Sequence, residues 1–85
     1  MNRIIKCVLL KIDVTLVTEI VEVQGEIGEP DCKLVNPYRL YGEDVLKPWP
    51  DITDQRDIMI HSDSILTIVD PKPKLVEKYI ELTAR

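Results

Sequence analysis

The chain has 85 residues, 45% hydrophobic and 31% charged, which fits one globular domain and excludes global disorder. Its 15 acidic and 11 basic side chains give a formal charge of −4, whereas nucleic-acid-binding domains are usually basic because phosphate neutralisation supplies much of their affinity. With no Phe, one Trp and three Tyr, the core must be built from Ile, Val and Leu.

Residues 4–12 (IIKCVLLKI) are mostly β-formers with both faces partly apolar, the pattern of a strand covered on two sides. Asp13 interrupts the run. Residues 14–23 (VTLVTEIVEV) then resume as a long strand, with Val14, Leu16 and Ile20 as core candidates and a bulge or bend expected near Val21 and Val23. Residues 24–31 (QGEIGEPD) form a loop of glycine, proline and acid, whose carboxylates read as solvated rather than as a cation site. Residues 32–35 (CKLV) start the third strand, which continues loosely through 38–41 with a bulge, an edge or an early end at Asn36, because Pro37 lacks an amide hydrogen. Residues 42–56 are read as a long irregular stretch in which Pro48 and Pro50 flank Trp49.

Two short β-branched runs follow, 58–60 and 65–69, separated by His61-Ser62-Asp63-Ser64, four polar residues suited to a tight corner between strands. Asp70-Pro71-Lys72-Pro73 stops the sheet. In residues 74–84, Leu75, Val76, Tyr79, Ile80 and Ala84 recur at helical spacing, so a short amphipathic helix is expected just after a proline. Five short strands, one strongly bent, in so small a chain predict an all-β fold, a five-stranded antiparallel barrel with a C-terminal helix. The expected division is a barrel over 1–71 and a helix over 72–85, packed on that barrel or on a neighbouring subunit.

Cys7 and Cys32 lie far apart in apolar runs and the chain has a single histidine, so two buried free thiols are expected, with no metal site and no cofactor. That usage fits a reducing cytoplasm. Lys6 and Lys11 interrupt the first apolar run, which reads as neither signal peptide nor membrane span. His61 beside Ser62 and Ser64 offers weak material for a nucleophile and base, since neighbours at a strand corner rarely face each other correctly, and no enzyme activity is expected.

The corner Ile60-His61-Ser62-Asp63-Ser64-Ile65, followed by an alternating strand, resembles the second motif of Sm and LSm proteins. The strand order and the long segment before the fourth strand are similar too, most of all to the divergent Sm-like proteins of cyanophages. The helix differs in place, since Sm proteins usually carry theirs before the first strand. The resemblance implies an Sm-like (SH3-like) barrel assembled as a homo-oligomeric ring, with strands 58–60 and 65–69 at the subunit interface. It also implies single-stranded RNA as a partner. By family analogy the RNA contacts fall on His61, Ser62, Asp63 and Ser64 of the second motif and on Asp31 and Lys33 of the first. There Glu29 stands at the acidic position, Lys33 where Asn belongs and Asp31 where a flat stacking residue belongs. An aspartate offers no π face and His61 replaces an arginine, so the usual uridine pocket is not expected.

Other readings remain open beside an RNA-binding ring. Trp49, held in a proline-stiffened loop, can cap the barrel or a subunit contact, or anchor a protein partner, which suits a structural or adaptor ring. The basic residues Lys72, Lys74, Lys78 and Arg85 read first as a solvated helix face. A monomeric peptide binder would need Tyr38, Tyr41 and Trp49 to form one groove.

Overall fold

The computed structural model describes residues 4–24 and 26–84. Strands β1 (Ile5–Leu10) and β2 (Thr15–Glu22) form an antiparallel hairpin. Leu10 N–H donates to Val14 O at 2.8 Å across the three-residue loop 11–13, and Asp13 ends that loop at φ 63°. A left-handed last residue is the usual closure of such a loop, and aspartate tolerates it. The break expected at Asp13 is therefore a hairpin turn.

Strand β3 (Cys32–Tyr41) pairs along β2. The register changes between Val17 and Glu19, so that Asn36 and Pro37 together oppose Thr18. Asn36 adopts φ 51°. The expected interruption at Asn36 is this bulge, and β3 bends there without ending. Among the described residues the ladder is regular from Glu19↔Val35 through Val21↔Lys33 to its end at Glu22↔Cys32, so the bulge expected near Val21 and Val23 is not found there. The bend belongs where proline withholds an amide hydrogen.

Beyond the bulge, β3 pairs with β4 (Val45–Pro48); before it, β3 pairs with β5 (Asp57–Ile60). Strand β4 falls within the stretch expected to be irregular. It is a short edge strand ending at a proline, which an edge accommodates. A 3₁₀ turn, Ser62–Ser64, leads into β6 (Ile65–Val69), which returns along β1. The path is β4-β3-β2-β1-β6 with β5 beside β3, making six antiparallel strands where the sequence pattern predicts five. Among the described residues no ladder joins β6 to β4 or β5, so the sheet is open.

Both faces of the sheet are covered. On one, Val8, Leu10, Val14, Leu16 and Leu34 form an inner cluster, joined by Ile20, Trp49, Ile58, Ile60 and Ile65. On the other, Ile5, Cys7, Val17, Tyr38 and Leu46 pack beneath helix α1 (Pro73–Leu82) through Leu75 and Tyr79. This explains why β1 is apolar on both sides, and why Val17 is as buried as Leu16 although alternation alone favours only the even positions of β2. The helix stripe is Leu75, Val76, Tyr79 and Thr83, whereas Ile80 and Ala84 face solvent. Thr83 caps the helix, its N–H and Oγ both donating to Tyr79 O. No helix among the described residues is long and apolar enough to cross a membrane.

Candidate functional site

The Cys32↔Ile60 pairing of β3 with β5 brings the end of the β2–β3 loop beside the 3₁₀ turn. Asp31 joins the two. Its Oδ1 accepts from Ser62 N–H and its Oδ2 from Ser62 Oγ, each at 2.7 Å. These two bonds, with a smaller contribution from His61, hold the Asp31 carboxyl below the ordinary carboxylate range despite some desolvation. Ser64 closes the turn on itself: its N–H and Oγ donate to His61 O at 3.0 and 2.6 Å.

The surface thus formed is an open cavity of about 330 Å³ lined by Glu26, Ile27, Gly28, Glu29, Asp31, His61, Ser62 and Asp63. Of the expected site residues it unites Asp31, His61, Ser62 and Asp63. Ser64 turns into the backbone of the knot, and Lys33 lies in the ladder between Val21 and Met59, off the cavity wall. Four carboxylates face one imidazole, a balance that repels phosphate. The Asp31 oxygens are occupied by Ser62, which favours a structural clamp over a ligand contact. Among the described residues no three His, Cys, Asp or Glu side chains converge closely enough to hold a metal ion.

Residues 3–84 match the family model described as a family of unknown function, DUF6561. The chain belongs to that family. No curated protein matches the sequence.

In this DUF6561 chain the three aromatics that a peptide groove would need are divided between surfaces. Tyr38 lies edge-on to Tyr79 under α1, with ring centres 5.8 Å apart. Trp49 is half-buried against the inner cluster, and its backbone N–H donates to Pro37 O at 3.0 Å. Tyr41 is exposed, flanked by Arg39 and Lys47. A common aromatic groove is therefore not formed. The Arg39–Tyr41–Lys47 cluster is a feature that sequence reading missed, although Tyr-Arg-Leu-Tyr with a lysine across a tight turn was its visible signal.

A larger cavity, about 580 Å³, lies between the start of α1, the end of β6 and the β3–β4 turn. Cys7, Leu9, Leu40 and Leu75 give it apolar walls, and both lysines and acids stand at its rim.

Proposed function

We propose that the chain is the subunit of a homo-oligomeric Sm-like ring, a barrel completed between copies, that serves as a structural or adaptor scaffold. The observation carrying this reading is a pair of unprotected strand edges. Among the described residues, strand β5 pairs only with β3, and β6 only with β1. Apart from Asp57 at the start of β5 neither strand has a charge, and neither has a proline. Natural proteins usually guard free edges with charge, proline or a covering element. Here Met59 is 43% exposed and Leu66 66%, and Ile68 and Val69 are exposed as well.

Pairing β5 of one copy with β6 of the next covers both edges. Repeated in one sense, such a contact closes into a ring, of roughly five to seven subunits in the resemblance to Sm proteins. The two free, buried cysteines support a reducing cytoplasmic setting.

RNA binding at the knot is the weaker reading, because four carboxylates line that surface. A nucleic-acid role for the ring needs a different face. Light scattering on the full chain tests the scaffold reading: a closed multimer is expected, and a monomer across the accessible concentration range would remove it.

A further inference from the structure

We propose that the exposed face of the β3–β4 hairpin, formed by Arg39, Tyr41 and Lys47, is a contact site for single-stranded nucleic acid. A base stacks on Tyr41, and flanking phosphates pair with Arg39 and Lys47. This goes beyond the scaffold reading and does not depend on it.

Arg39 and Tyr41 are two positions apart on β3 and so share a face. The ladder places Lys47 directly opposite Arg39. The Arg39 guanidinium carbon lies 4.9 Å from the centre of the Tyr41 ring and Lys47 Nζ 5.4 Å from it. Tyr41 as a residue remains 42% exposed, so an aromatic side chain in contact with two cations stands at the surface, and a base that stacks on it takes the place of one of them. Alternating cations and aromatic rings are how sequence-tolerant single-strand sites hold backbone and bases together.

The charge balance sharpens the point. The chain has more acids than bases, yet the ion pairs among the described residues join Lys6 to Asp70 and Lys78 to Asp44. Neither Arg39 nor Lys47 meets a carboxylate among them. The nearest acids in sequence, Glu43 and Asp44, line the cavity beside α1. The opposite position to Tyr41 is Val45, which adds an apolar patch next to the ring. The hairpin is charge-balanced as a whole, with Glu43 and Asp44 in its turn and Arg39 and Lys47 side by side on its paired strands.

The test uses the full chain with labelled oligouridylate and oligodeoxythymidylate, read by fluorescence anisotropy from about 50 to 200 mM salt. Binding that weakens with salt is expected. Tyr41→Ala should lower affinity by roughly tenfold or more, while Tyr41→Phe, which keeps the ring, should bind nearly as the parent does. Arg39→Gln with Lys47→Gln should lower both the affinity and the salt slope, the slope by about one for each phosphate that is no longer neutralised. Thermal unfolding and mass on the same samples separate impaired binding from impaired folding or assembly. Three results would overturn the proposal: no binding by the parent at low salt, binding indifferent to all the hairpin variants, or loss of binding in Asp31→Asn and Lys33→Gln alone. A further contrary result is tighter, Tyr41-independent binding of polyglutamate, which would make the patch a contact for acidic protein.

Discussion

The Tyr79 hydroxyl, on α1, lies 2.9 Å from the carbonyl oxygens of both Val35 and Asn36, and its single proton is shared between them at the bulge of β3. Val35 O also accepts from Thr18 Oγ at 3.0 Å. The bulge leaves carbonyls without strand partners, and two buried hydroxyls supply the missing donors. The helix is thereby tied to the point where β3 passes from pairing with β5 to pairing with β4. Tyr79→Phe keeps the ring but removes the hydroxyl donor from Asn36 O and one of the two donors from Val35 O, and should lower stability by about 1–3 kcal/mol. Tyr79→Ala also opens a cavity and should cost about 3–5 kcal/mol. Urea unfolding of the parent and both variants gives the comparison, and a neutral Tyr79→Phe would show that the hydroxyl does not secure the bulge.

The Asp31–Ser62 clamp makes a pH-dependent contribution. The folded carboxyl titrates below its ordinary range, so the clamp contributes fully above the unfolded pKa and is lost as pH falls through the folded pKa. Ser62→Ala removes the hydroxyl bond but keeps the backbone one, and should move the Asp31 titration part of the way back up toward the ordinary value. Carboxyl-carbon NMR titration measures this directly. An unchanged Asp31 titration in Ser62→Ala would show that the hydroxyl bond does not set it.

Cys7 and Cys32 are free and buried. Burial raises both thiols above their ordinary value, and Asp31 and Glu22 add to the shift at Cys32. Since the thiolate is the reactive form, a disulfide reagent at neutral pH should label neither residue quickly in the folded chain and both after denaturation. Rapid labelling of the folded chain would indicate local opening of β1 or of the start of β3.

What can be read from sequence follows from how local each determinant is. The knot between 58–60 and 65–69 stands out because β-branched runs flank four turn-forming residues, and β5 and β6 fall almost where the pattern puts them. The interruption at Asn36 is visible because proline lacks an amide hydrogen whatever surrounds it. Strand β4 is hidden, since Pro48 and the charged turn before it mask a strand that exists only by pairing with β3. Spacing alone points Ile80 inward, but the helix rolls to bury Tyr79 and Thr83. The closeness of Asp31 to the knot follows from aligning two motifs; its bidentate hold on Ser62 does not, because it depends on the β3–β5 register.

Mass in solution tests the central claim most directly. Native mass spectrometry of the parent should give one closed multimer. Met59→Lys on β5 and Leu66→Lys on β6 both place a charge on an exposed apolar edge position, so each should shift the chain toward monomer while its circular dichroism stays that of the parent. A parent that is monomeric, or a multimer untouched by both substitutions, would contradict assembly through these two edges.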